Sequence, residues 1–82
     1  MLDLTGWQWY HTGDSRKSNA GFPDLVMVRE RVVYAELKKQ SGKVSPEQQV
    51  WIDALRAAGE EVYVWRPSDW DEICKILARR KN

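Results

Sequence analysis

Apolar residues in the first half of the chain are grouped in short runs separated by polar turns. Two valine-rich runs lie within residues 21–38 and flank the charged turn Arg29-Glu30-Arg31. This pattern predicts a two-stranded antiparallel hairpin. An aromatic stretch at residues 7–11, between Gly6 and a Thr-Gly-Asp turn signal, predicts a strand before the hairpin. The polar residues 12–20 between them predict a surface loop.

The second half of the chain carries apolar residues at helical spacing. Ser45-Pro46-Glu47-Gln48 is typical of a helix start, because serine is a good N-cap and proline suits the first helical position. The apolar stripe of this helix is Trp51, Ile52, Leu55 and Ala58, and Gly59 predicts its end. Residues 62–66 predict a strand. Pro67-Ser68 opens a last helix, whose predicted buried face is Trp70, Ile73, Cys74 and Leu77.

These elements define a fold class. A strand, a helix and a second strand in succession require a right-handed crossover, so the last strand pairs in parallel with the hairpin's second strand. The sequence therefore predicts an α/β protein with a mixed four-stranded sheet. Three strands form an antiparallel meander, the fourth is parallel to the third, and helices cover both faces. Residues 1–82 are expected to form a single domain.

Composition narrows the class of protein. The chain has 82 residues, 43% of them hydrophobic and five of them tryptophan, which predicts a small folded domain. Its single cysteine, Cys74, cannot form an intramolecular disulfide and fits a reducing compartment. No apolar run approaches the roughly 18 residues that a membrane span needs. These features favour a cytoplasmic protein with no membrane partner.

The charge balance is a weak indicator of nucleic-acid binding. The chain has thirteen Lys and Arg residues and twelve Asp and Glu residues, which gives a net charge of +1. Basic residues nevertheless cluster locally, at Arg16-Lys17, at Arg29 and Arg31, at Lys38-Lys39 with Lys43, and at Arg79-Arg80-Lys81. Ordinary solvated charges are the alternative explanation for these clusters.

Two carboxylates and one lysine suggest chemistry at one end of the predicted sheet. Asp24 stands at the start of the hairpin's first strand, and Glu36 lies near the end of the second. Because side chains alternate along a strand, Tyr34, Glu36 and Lys38 share one face and Val33, Ala35 and Leu37 the other. Two carboxylates and an ammonium can bind a divalent cation and an anionic oxygen beside it. A simple surface ion pair between Glu36 and Lys38 is the alternative.

These residues resemble a known family. Pro23-Asp24 followed by Glu36-Leu37-Lys38 resembles the signature of PD-(D/E)XK nucleases. Gly21-Phe-Pro-Asp-Leu and Ser45-Pro-Glu-Gln resemble the VRR-NUC branch in particular. The resemblance covers roughly residues 6–76, and it implies a restriction-endonuclease-like fold.

The resemblance implies a metal-dependent DNA endonuclease. Mg²⁺ or Mn²⁺ would be held by Asp24, Glu36 and the backbone carbonyl of Leu37, with no other small-molecule cofactor. Lys38 would orient a water or stabilise charge on the phosphate. Gln48 would lie near the metal, although it can instead reach back to the Ser45 amide as the third residue of a capping box. A single side chain seldom does both.

The resemblance also implies a substrate and an assembly. Branched DNA of the Holliday-junction type is the expected substrate, and two copies related by a two-fold axis would cut two strands. The cell would be bacterial or phage-infected. Candidate DNA contacts are His11, Ser15, Arg16, Lys17, Ser18, Lys39 and Lys43.

The chain departs from the family pattern at its N-terminus. Such nucleases usually begin with a helix carrying an acidic metal ligand, and here Asp3 is the sole carboxylate before the first strand. The helix is missing or truncated, Asp3 replaces its ligand, or another subunit supplies it, so weak metal binding and low or absent cleavage are expected. Two other functions stay open. One is an inactive nucleic-acid-binding module, and the other is a protein-interaction domain using exposed Trp7 and Trp9, which share a strand face.

Overall fold

The computed structural model describes residues 3–12 and 20–80 of the chain. The strands are β1 (Gln8–His11), β2 (Leu25–Val28), β3 (Val32–Leu37) and β4 (Glu61–Trp65), and the helices are α1 (Pro46–Ala57) and α2 (Trp70–Ala78), with a 3₁₀ turn at Pro67–Asp69. The sheet order is β1-β2-β3-β4. Strands β1 to β3 are antiparallel neighbours and β4 is parallel to β3. The predicted α/β fold with a mixed four-stranded sheet is therefore confirmed.

Helix α1 lies on the face of the sheet that carries Tyr34. The ring of Phe22 fills the space between strand and helix, with its centroid 6.2 Å from Tyr34 and 5.0 Å from Trp51, both edge-to-face. Ile52 is buried on the same side. The loop before β2 therefore packs between β3 and α1.

Helix α2 covers the opposite face, where Val33, Ala35, Trp65 and Ile76 form the buried core. The prediction that Trp70 belongs to the buried side of this helix is wrong, because its side chain is 65% exposed. Trp70 is the first residue of α2, and the residues that pack on the core, Ile73, Ile76 and Leu77, follow in later turns. Leu37, expected on the core face of β3, is also exposed, since it ends the strand.

The basic residues of the β2–β3 turn have structural roles. The guanidinium of Arg29 lies 4.6 Å from the ring centroid of Trp7, and that of Arg31 lies 5.1 Å away. Arg31 donates to the Ile76 carbonyl at 2.5 Å, and the indole of Trp7 donates to the Leu77 carbonyl at 3.0 Å. The Ile76 carbonyl also accepts the Arg79 N–H at 3.3 Å, so Arg31 and Trp7 add side-chain donors to the carbonyls of the last turn of α2. Arg29 donates to the Arg79 carbonyl at 2.9 Å, so both arginines bind the C-terminal end of α2 to the sheet.

The residues that the structure describes include no helix with the length and apolar character needed to cross a membrane.

Candidate active site

The acidic residues of the hairpin meet where β2 begins and β3 ends. Leu25 pairs with Ala35, so Asp24 and Glu36 are the next residues on neighbouring strands. The Leu37 backbone N–H donates to Asp24 Oδ2 at 2.8 Å. This bond spans the two strands and holds the Asp24 carboxylate at the end of β3.

Glu36 is the buried acid of this site. Its side chain is only 2% exposed, which is unusual for a carboxylate and requires partners. Its Oε2 accepts a hydrogen bond from Gln48 Nε2 at 2.8 Å and lies 3.7 Å from Lys38 Nζ. Its Oε1 is buried and has no hydrogen-bond partner among the described residues. A buried carboxylate oxygen without a donor is a position that a cation would satisfy.

The electrostatics of the pair favour a bound cation. Burial, with the negative charge of Asp24 as the second cause, raises the pKa of Glu36 to about 7, and Lys38 opposes that shift. When both carboxylates are ionised, they share the site with one ammonium, so one negative charge is left uncompensated. A divalent cation would supply the missing positive charge.

Gln48 links the site to helix α1, because its side chain bonds to the Ser45 amide and to the Glu36 carboxylate at the same time. Its Oε1 accepts from the Ser45 N–H at 2.8 Å and completes the capping box, in which the Ser45 hydroxyl accepts from the Gln48 N–H at 3.2 Å. Its Nε2 donates to Glu36. The two ends of one amide therefore fix the start of α1 and the orientation of the buried carboxylate.

Gly21 allows the loop that carries Asp24 to approach helix α1. Its φ is +88°, and a Cβ there would lie 2.5 Å from the Glu47 carbonyl carbon and oxygen and 2.8 Å from the Gln48 nitrogen. Neither the backbone conformation nor the space suits any other residue. In the sequence Gly21 is recognisable only as part of a motif, and the structure shows the close backbone contact that requires glycine there.

The loop after β3 is fastened to the same end of the sheet. Gln40 and Ser68 exchange two hydrogen bonds, at 2.9 and 3.0 Å, and Arg66 donates to the Gly42 carbonyl at 2.8 Å. Lys39 and Lys43, two of the predicted DNA contacts, are exposed on this loop. Lys39 and Lys43 therefore lie next to Lys38 on a loop that these hydrogen bonds hold in place.

Other predicted site residues lie elsewhere. His11 pairs with Leu25, so alternation places it on the opposite face of the sheet from Glu36. Asp3 lies at the far end of the sheet, where it accepts hydrogen bonds from Thr5 and pairs with Arg80, and these bonds keep its pKa well below the usual value. Asp3 therefore does not replace a third ligand beside Asp24. Ser15, Arg16, Lys17 and Ser18 lie outside the described residues.

Only one of the two tryptophans expected to form an exposed surface on β1 and the residue before it is exposed. Trp7 is packed against α2, whereas Trp9, on the same face of the sheet, is 67% exposed. The adjacent residue Tyr10 is 66% exposed on the other face. One exposed tryptophan on this face, rather than two, weakens the case for a protein-interaction surface there.

The donor set of the site fits a hard divalent ion. Asp24 and Glu36 offer carboxylates, the Leu37 carbonyl adjoins them in sequence, and the unpartnered Oε1 of Glu36 is available. Among residues 3–12 and 20–80, no group of three or more His, Cys, Asp or Glu side chains is placed to hold a metal. The described part of the chain thus offers two side-chain carboxylates to such an ion at this site.

A mixed sheet with a carboxylate pair and a lysine at the strand ends defines a restriction-endonuclease-like α/β domain. The family model of the VRR-NUC domain matches residues 4–69, and the chain belongs to this nuclease-type family. Comparisons with curated proteins and with solved structures found no match.

The raised pKa of Glu36 predicts how the stability of the metal-free protein depends on pH. The folded-state pKa is about 7 and the ordinary value is 4.5, so the folded state holds the proton more tightly. The free energy of unfolding should therefore fall as the pH rises from about 4.5 to 7, by about 3 kcal/mol from this group alone. Urea denaturation in EDTA between pH 5 and 8 measures the trend. Glu36→Gln should lack this contribution, and a parental curve that rises across the window relative to the variant would contradict the assignment.

Proposed function

We propose that the chain is a metal-dependent DNA endonuclease that hydrolyses phosphodiester bonds with Asp24, Glu36, Lys38 and Gln48. The observation that carries this proposal is the buried Glu36 carboxylate, which lies beside Asp24 and Lys38 with one oxygen unpartnered. Membership of a nuclease-type family supports it. A buried, incompletely satisfied acid destabilises the fold, and a functional requirement explains its presence better than a structural one.

Asp24, Glu36 and the backbone carbonyl of Leu37 would hold the metal ion, and their oxygen chemistry suits Mg²⁺ or Mn²⁺. When bound, such an ion lowers the pKa of a coordinated water and polarises the phosphate. The hydrogen bond from Gln48 fixes the rotation of the Glu36 carboxylate. The bond from the Leu37 N–H does the same for Asp24. The ligands are therefore preorganised by the backbone and by helix α1.

Lys38 would act on the phosphate. Its ammonium lies 3.7 Å from Glu36 Oε2, and its side chain is mostly buried yet has access to solvent. From this position it would donate to the attacking water or to a phosphoryl oxygen, where negative charge builds up in the transition state. Its partial burial strengthens that interaction because fewer water molecules screen the charge.

The proposed substrate and oligomeric state follow from the family resemblance. We propose a branched or junction-containing DNA substrate, cut by a homodimer that carries two sites related by a two-fold axis. Lys39 and Lys43 would contact phosphates near the site, with Ser15, Arg16, Lys17 and Ser18 as further DNA contacts. Light scattering with and without branched DNA tests the assembly, and a monomer under both conditions would contradict it.

The function is tested by separating catalysis from binding. Lys38→Ala should lower the Mn²⁺-dependent cleavage rate by about 10²-fold or more while changing DNA affinity less than about threefold. Lys43→Ala removes an exposed lysine from the neighbouring loop and should instead weaken binding and reduce its salt dependence. Cleavage of fluorescent linear and branched DNA, together with anisotropy titrations, measures both effects. A Lys38→Ala protein that cleaves at the parental rate would remove Lys38 from the mechanism.

One observation favours a second candidate function, DNA binding without cleavage. Two carboxylate ligands hold a divalent ion more weakly than three, and the described residues provide only two in this site. A parental protein that binds branched DNA but cleaves nothing in Mg²⁺ or Mn²⁺ would establish this alternative.

A further inference from the structure

Tyr10 is an exposed aromatic residue on the same face of the sheet as the candidate active site. It pairs with Val26, and Val26 pairs with Tyr34, so the three side chains form one row across β1, β2 and β3. Tyr34 and Glu36 are two residues apart on β3 and therefore share a face. Tyr10 is 66% exposed, whereas Tyr34 in the same row is partly covered by Phe22.

The distance from Tyr10 to the carboxylates is set by the strand geometry. The Thr12 N–H donates to the Asp24 carbonyl at 2.9 Å, which fixes the end of β1 beside the start of β2. Neighbouring strands are about 4.8 Å apart and each residue advances about 3.4 Å, so the Cα atoms of Tyr10 and Asp24 are roughly 8 Å apart. This separation suits a nucleotide adjacent to a phosphate held at the site.

We propose that Tyr10 stacks on an unpaired nucleobase of the DNA strand whose phosphate occupies the site formed by Asp24, Glu36 and Lys38. The inference rests on the proposed nuclease function and adds a substrate preference to it. Inside a duplex the base faces are covered by neighbouring bases, so an exposed tyrosine ring can stack there only on a base that is unpaired or splayed out. The chain should therefore favour single-stranded segments at or beside the cleaved bond.

The charge and exposure of this surface support a nucleic-acid strand as the occupant. Lys38, Lys39 and Lys43 lie at the same end of the sheet, and strand β1 contains no acidic residue. Lysines that contact the backbone beside an exposed ring are the combination that single-strand-binding surfaces use. Trp9 is equally exposed on the same strand but faces the side covered by α2, which makes it a matched control.

The test compares single-stranded and duplex DNA of one sequence in EDTA, where no metal-dependent cleavage occurs. Tyr10→Ala should weaken single-strand binding by about 5- to 150-fold and duplex binding by less than about twofold. Tyr10→Phe should bind like the parent, and Trp9→Ala should change neither affinity more than about twofold. A 2-aminopurine base in the single strand should lose fluorescence on binding the parent and keep it with Tyr10→Ala.

The outcomes separate this inference from the proposed function. Equal losses on both DNAs, or a Trp9→Ala effect as large as that of Tyr10→Ala, would overturn the stacking role even if the parent cleaves DNA. A Tyr10-dependent quenching signal in a parent that cleaves no substrate with metal would leave stacking intact and refute the nuclease function.

Discussion

Glu36→Gln is expected to abolish cleavage and to stabilise the metal-free protein. The amide keeps the size of the carboxylate, accepts the hydrogen bond from Gln48 and can donate to the Asp24 carboxylate beside it. It removes the cost of a buried charge, so the free energy of unfolding in EDTA at pH 8 should rise by about 1–3 kcal/mol. It also removes a charged oxygen ligand, so the Mn²⁺-dependent cleavage rate should fall roughly 10³-fold or more.

Glu60→Gln is the matched control for this substitution. Glu60 is exposed in the turn after α1, so its replacement should leave cleavage unchanged and stability within about 0.5 kcal/mol. Cleavage rates and urea denaturation curves of the parent and both variants give the comparison. If Glu36→Gln lost activity together with stability, the buried carboxylate would be a structural residue.

Gly21→Ala is expected to have the largest effect on folding. The added Cβ would lie 2.5 Å from backbone atoms of Glu47, which cannot rotate away as a side chain could. The positive φ costs a further 1–2 kcal/mol or so for a residue with a Cβ. Together these terms should reduce the free energy of unfolding by about 3–5 kcal/mol, a large fraction of the stability of a domain of this size.

Gly59→Ala separates the cost of the positive φ from the cost of the steric clash. Gly59 has nearly the same φ, +86°, but nothing lies within 4 Å of its added Cβ, so only the backbone term applies. Its cost should be about 1–2 kcal/mol. Thermal and urea denaturation of both variants, each with added Mn²⁺, measure the difference. Equal costs would mean that the loop carrying Asp24 is not packed against α1 as described.

The architecture was predictable because local signals in this chain agree with one another. The valine-rich runs of β2 and β3 flank a charged turn, and the Ser45-Pro46 start of α1 fixes where the crossover begins. A strand after that crossover has to be parallel to β3. The prediction for Trp70 is wrong because helical periodicity gives only the spacing of the apolar residues. Packing on the sheet decides which of them are buried.

The site was predictable in part. Strand alternation places Glu36 and Lys38 together, and hairpin pairing places Asp24 beside them. The double role of Gln48 could not be read from the sequence, because it depends on how the start of α1 lies over β3. The position of Asp3 depends on an ion pair with Arg80, nearly the whole chain away. The sequence also could not show that Tyr10 is exposed while Tyr34, on the same face of the sheet, is partly covered by Phe22.

The most direct test of the account is the metal dependence of DNA cleavage in the parent and in Asp24→Asn. Asp53→Asn, an exposed aspartate of α1, is the matched control. The parent and the control should cleave in Mn²⁺ and not in EDTA, and Asp24→Asn should be at least about 10²-fold slower in Mn²⁺. Cleavage by Asp24→Asn at the parental rate, or parental cleavage that persists in EDTA, would contradict a metal centre formed by Asp24 and Glu36.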